Sequence, residues 1–206
     1  MKYSEFFGRR ENTFNESYEL IKKRIHTSEN YTIVELGTSR SFVTGGEEGC
    51  LSADPKYWQP YNPAVWDWGA GIFTKVFLDN LEGENFSMYT IDPSDSAVSI
   101  VNLMCSGNEN LQIIKGYSSD FLKNYSEQID FLYMDHMESS EEACIQHLQD
   151  SIIVVERNLM SPNGIILIDD VGDNIAKTKG KYSIPYLTEN GFEIIMHEYQ
   201  VILVKK

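Results

Sequence analysis

Five short apolar runs, each ending in an acidic residue or a glycine, constrain this chain more than any other feature. They are YTIVELG (31–37), SMYTID (87–92), LQIIKG (111–116), IDFLYMD (129–135) and GIILIDD (164–170). Each is rich in β-branched or aromatic residues, and each reads as a strand. Strands this uniformly apolar are those buried on both faces, as in a parallel sheet with helices above and below. Amphipathic segments lie between them. Residues 12–27, within an N-terminal helix of about 10–28, carry Tyr18, Ile21 and Ile25 at helical spacing among charges. Leu148, Ile152, Val155 and Leu159 step by four, three and four. Ser139 or Ser140 is placed to cap that helix, Glu141 and Glu142 fall in its first turn, and SPNG (161–164) is expected to break it. FEIIMHEY and VILVKK then pair as a closing hairpin, with an antiparallel strand at one edge. The fold class is α/β: a doubly wound, mostly parallel sheet in a single domain spanning 1–206.

Composition narrows the function. With 42% hydrophobic and 23% charged residues the chain has the make-up of a soluble globular domain. No apolar run approaches the ~18 residues of a membrane span, and the first residues have no apolar core of a secretory signal. Cys50, Cys105 and Cys144 are few and scattered, which fits reduced thiols and a cytoplasmic location rather than a disulfide framework. A formal charge of −14 argues against nucleic acid as a partner. A small-molecule substrate fits better, and a homodimer is compatible with all of this.

In a doubly wound sheet, ligands bind beyond the carboxyl ends of the strands. Glu35 and Gly37 close the first strand, Asp92 the second, Asp135 the fourth, and Asp169 and Asp170 the fifth. All are expected on one rim. Gly37 and the small hydroxyl residues after it let a ligand approach the backbone, and Asp92 is placed to accept hydrogen bonds from both hydroxyls of a ribose. Asp169 and Asp170 pose a question. Adjacent carboxylates at the end of a buried run each disfavour ionisation of the other, so something positive is expected beside them.

Taken together, these segments resemble a class I S-adenosylmethionine-dependent methyltransferase. VELGTSRSF (34–42) is similar to that family's first motif, with Ser41 where a final glycine is usual; YTIDPSD (89–95) is similar to the second, and IIKGYSSDFL (113–122) to the adenine-side segment. The resemblance implies a seven-stranded Rossmann-like methyltransferase fold. It also implies S-adenosylmethionine held by Glu35, Gly37, Thr38, Ser39, Asp92, Ser118, Ser119 and Asp135. DFLYMDH followed by GIILIDD further resembles the metal-dependent small-molecule O-methyltransferases of the catechol and macrocin types. That implies a magnesium ion, Mg2+, on Asp135, Asp169 and Asp170. The lysine base of the catechol type has no counterpart in MDHMESSEE, which leaves Asp135 and His136 as the catalytic candidates. The expected activity is metal-assisted O-methylation of a small-molecule hydroxyl. Alternatives are a metal-free methyltransferase of the same fold, a diverged hydroxylase-like relative and a non-catalytic cofactor-binding protein.

Gly37 and Asp92 are farther apart than one helix requires. Residues 71–81 read as that helix, so about 44–70 form an aromatic-rich insertion. It holds Trp58, Trp66 and Trp68, and at least one indole is expected to line the cleft as part of a lid or acceptor wall; the competing expectation is a small satellite core.

Overall fold

In the computed structural model, residues 1–38, 62–66, 68, 72–105, 107–137 and 139–206 are described. Seven strands form one sheet: β1 (Tyr31–Leu36), β2 (Phe86–Asp92), β3 (Leu111–Lys115), β4 (Ile129–Met134), β5 (Met160–Ile168), β6 (Phe192–His197) and β7 (Val201–Lys205), in the order β3-β2-β1-β4-β5-β7-β6. The first five are parallel to one another. β7 lies between β5 and β6 and is antiparallel to both, so the antiparallel strand is one in from the edge that β6 forms.

The uninterrupted apolar runs are explained by two cores, one on each face. Ile33, Phe131, Tyr133, Ile165 and Leu167 point to one side. There they meet α1 (Glu11–Ile25), α2 (Phe73–Asn80) and α3 (Asp95–Cys105) through residues such as Phe14, Phe73, Phe77 and Val101. Their neighbours Val34, Leu132, Met134, Ile166 and Ile168 point to the other side. These meet α4 (Ser118–Asn124), α5 (Glu141–Glu156) and α6 (Ser183–Glu189) through Leu122, Val154 and Leu187. Period-two alternation of the side chains, with both faces covered, leaves no polar side to the central strands. Of the two candidate caps, Ser140 is the one used: its Oγ accepts from Ala143 N at 3.1 Å.

The helix ends at Glu156, ahead of SPNG, and SPNG itself lies within a strand that begins earlier than the GIILIDD run. β5 starts before it, at Met160, and these residues form a bulge: Ile129 pairs with Met160 but Phe131 with Ile165. Asn163 takes a left-handed φ of 57°, and Pro162, which has no N–H, occupies a stretch that pairs with nothing. Asp130, the one polar residue within the β4 run, secures this irregularity. Its Oδ1 accepts from Ser161 Oγ at 2.6 Å and its Oδ2 from Thr32 N at 2.9 Å.

No helix among the described residues is long and apolar enough to cross a membrane.

Candidate functional site

The carboxyl ends of β1, β2, β4 and β5 lie side by side because the parallel register carries past the strands. Gly37 N donates to Ile91 O at 2.9 Å, Asp135 N to Leu36 O at 2.9 Å, and Asp169 N to Met134 O at 3.1 Å. The rim expected from sequence is therefore assembled.

At the β1–β2 end, Asp92 is 8% exposed; Thr38 N donates to its Oδ2 at 3.2 Å and Ser94 N to its Oδ1 at 2.8 Å. Two backbone amides thus orient the carboxylate at the rim end of β2. Gly37 has φ +85°, and a Cβ there would stand 2.5 Å from His136 Cα. Only glycine lets the β1 and β4 loops close to this distance. Glu35 does not reach the rim. It is fully buried, and its Oε2 accepts from Thr74 Oγ1 and, at 2.6 Å, from Thr90 Oγ1. Oε1 has no hydrogen-bond partner among the described residues. Burial pushes the Glu35 carboxyl up to about 8, against the pull of the two threonine hydroxyls. Ser39 lies outside the described residues.

His136 and Ser118 converge on a residue that the sequence did not single out. Asp150, buried on α5, accepts from Ser118 Oγ at 2.7 Å, and His136 Nε2 lies 3.1 Å from the same carboxylate oxygen. The His136 ring stacks on His147 with centroids 4.3 Å apart. His147 Nε2 faces the His136 carbonyl at 3.3 Å. Burial, and then His136 beside it, hold His147 far below the ordinary histidine range and keep it neutral. Ser119, the neighbour of Ser118, is half-buried in the first turn of α4. Beside it, Ile114, Gly116, Tyr117, Phe121 and Tyr125 line an open cleft of about 460 Å³.

The three aspartates do converge, and the structure supplies the positive charge that the sequence demanded. Arg10 Nε and Nη2 each lie 2.8 Å from Asp169 Oδ2, and Arg10 Nη1 donates to Trp68 O at 3.3 Å. Tyr133 OH donates to Asp169 Oδ2 at 2.7 Å, and Asp170 N donates to Oδ1 at 2.8 Å. Lys179 Nζ bridges Asp135 Oδ1 at 3.1 Å and Asp170 Oδ2 at 2.8 Å. Tyr199 OH donates to Asp170 Oδ1. Burial, then the Asp169 charge, raise Asp135 well above the usual carboxylate range despite Lys179. For Asp170, burial opposes ionisation but Lys179 outweighs it and the pKa falls.

The expected Mg2+ on Asp135, Asp169 and Asp170 does not fit this arrangement. Their oxygens are turned to an ammonium, a guanidinium, two tyrosine hydroxyls and a backbone amide. Among the described residues no group of three histidine, cysteine, aspartate or glutamate side chains is placed to hold a metal ion.

Arg10, Lys179, Tyr133 and Asp150 were not among the sequence candidates. The one available signal was the aspartate pair itself, which required a counter-charge without saying where in the chain it came from.

Trp58 lies outside the described residues. Trp66 is 1% exposed and packs on Tyr3 and Trp68; Trp68 stacks on Phe6 at 5.3 Å. Trp66 belongs to the core on the α1 side of the sheet, and Trp68 and Tyr3 pack against it.

No family model and no curated protein matches the sequence. Solved structures do. The O-methyltransferase NovP has 11% identity and a TM-score of 0.60, over 95% of this chain and 80% of that one. An rRNA methylase from Streptococcus thermophilus has 13% identity and a TM-score of 0.54, over 93% and 96%. The N-methyltransferase NodS from Bradyrhizobium japonicum WM9, in complex with S-adenosyl-L-homocysteine, has 10% identity and a TM-score of 0.54, over 93% and 86%. At such low identities the likeness establishes the fold, the seven-stranded Rossmann-like sheet of the methyltransferases.

Proposed function

We propose that this protein is an S-adenosylmethionine-dependent methyltransferase acting on a hydroxyl of a small molecule. The observation that carries the reading is Asp92, a carboxylate at the rim end of β2, oriented by the amides of Thr38 and Ser94. An acidic side chain at this end of the second strand is the residue type that accepts from the vicinal hydroxyls of a ribose. The Gly37 turn, through Gly37 N to Ile91 O at 2.9 Å, and Gly116, through its N to Asp92 O at 3.1 Å, lie on either side of the end of β2. The solved methyltransferases that share the fold, one of them holding S-adenosyl-L-homocysteine, support the same reading. Bound S-adenosylmethionine supplies an electrophilic methyl group, and the chain's own residues do the rest.

Asp135 is the residue we assign to the acceptor. A carboxyl raised above its ordinary range is a better base near neutral pH than a common aspartate. Lys179 fixes its orientation through Oδ1. It can then take the proton that the acceptor hydroxyl loses as the new bond to carbon forms. Ser118 and His136, tied through Asp150, set the position of α4 against the β4 loop. The charge of −14 favours a small acceptor over RNA, whose phosphates such a surface repels.

Calorimetric titration with S-adenosylhomocysteine tests the reading. Wild-type protein should bind, and Asp92→Ala should weaken binding by about 1–3 kcal/mol, the range for hydrogen bonds to a charged group. Equal affinity in the two proteins, or none in the wild type, refutes it.

A further inference from the structure

The acidic rim is already neutralised from within the chain. Lys179 is 2% exposed, and its ammonium lies between Asp135 and Asp170, where a cation bound by both carboxylates would stand. The loop that delivers it is tightly held. A Cβ on Gly180 would come within 2.3 Å of Ile184 Cδ1 and 3.4 Å of Val171 Cγ2, so the backbone is pressed between α6 and the segment after β5. Arg10 performs the same service for Asp169, with two nitrogens on one oxygen. A divalent ion needs carboxylate oxygens at about 2.0–2.1 Å with lone pairs directed at it. Here those lone pairs already face nitrogen donors, and an incoming ion would meet a fixed positive charge.

We infer that Lys179, with Arg10 beside it, takes the place of a divalent cation at the ends of β4 and β5, so that this rim works with a built-in ammonium and binds no divalent metal. The side chain of Lys179 is the group that fills the point shared by Asp135 and Asp170. Removing it leaves Asp135 and Asp170, both partly open to solvent, facing one vacated point. Two carboxylates and several waters make an ordinary magnesium or manganese shell.

Titration of the full chain with Mn2+, followed by electron paramagnetic resonance of the free ion, tests this without cofactor or turnover. Its outcome is therefore independent of whether the protein binds S-adenosylhomocysteine. Wild-type protein should show no Mn2+ binding that Asp170→Asn removes. Lys179→Met should gain one Mn2+ site, ~10-fold or more tighter than anything in the wild type, the scale on which groups bordering a metal site act. Mg2+ should compete for it, and Asp170→Asn in the same background should abolish it. Wild-type binding of Mn2+ that is lost in Asp135→Asn or Asp170→Asn overturns the inference, as does a folded Lys179→Met protein with no gain. If Lys179→Met does not fold, Lys179→Gln carries the same expectation, and the wild-type titration decides the first half unaided.

Discussion

Replacing Glu35 with glutamine should change how stability depends on pH, in a direction fixed by the structure. The carboxyl is fully buried, two threonine hydroxyls hold Oε2, and burial raises its pKa from the ordinary 4.5 to about 8. Between those values the unfolded chain has released the proton while the folded chain still holds it. The folded state binds more protons, so stability falls as pH rises, by about 1.4 kcal/mol per pH unit. Across the window from 4.5 to about 8 this amounts to about 5 kcal/mol, complete above the upper value and absent below the lower one. Glu35→Gln removes the ionisation but keeps a carbonyl oxygen for Thr74 and Thr90. Urea midpoints of both proteins, taken at intervals from acid to mildly alkaline pH, isolate the effect, since every other group titrates equally in the two. The variant should gain on the wild type steadily through the neutral range and then hold a constant lead. Parallel curves would refute the argument, and so would a lead that shrinks as pH rises.

Two other substitutions probe the same rim. Arg10→Met removes both nitrogens from Asp169, which is fully buried. Stranding a buried charge should cost about 3–5 kcal/mol in urea unfolding, and a loss below about 1 kcal/mol would show that Tyr133 and the Asp170 amide suffice. Gly37→Ala imposes a Cβ at φ +85°, 2.5 Å from His136 Cα. Left-handed strain of about 1–2 kcal/mol and overpacking of about 1–3 kcal/mol should add. The urea midpoint should fall and affinity for S-adenosylhomocysteine should drop with it; a variant matching the wild type in both would contradict the close approach of the two loops.

The strands were legible because burial on both faces leaves an unmistakable trace: in YTIVEL, DFLYM and GIILI every position, odd or even, is buried. The acids at their ends were legible for a related reason, since a parallel register places the residue after each strand on one rim. SPNG was misread because its composition is that of a turn, and only pairing with β4 and the grip of Ser161 on Asp130 turn it into a bulge within a strand. Glu35 was expected at the rim because it precedes Gly37, yet the alternation of β1 aims it into the core beside Thr74 and Thr90.

The charges around Asp169 and Asp170 show where sequence reasoning ends. Arg10 is 159 positions from Asp169, and Lys179 is 44 from Asp135. Neither belongs to a periodic pattern, and each is one of several basic residues in its neighbourhood. Two adjacent carboxylates demand a cation, but a bound ion and a buried lysine meet that demand equally well. What decides between them is the path of one loop, which buries Lys179 with its ammonium between Asp135 and Asp170. The count of charges then has a consequence. Two fixed cations face three carboxyl groups, Asp169 is sealed under Arg10 and Asp170 is held low by Lys179 and Tyr199, so the excess falls on Asp135. Its carboxyl is raised above the ordinary range, it is partly open at the rim, and it adjoins the Gly37 turn through Leu36. With its two neighbours neutralised from within the chain, Asp135 is the carboxyl to which the proposed reaction assigns the proton of the acceptor.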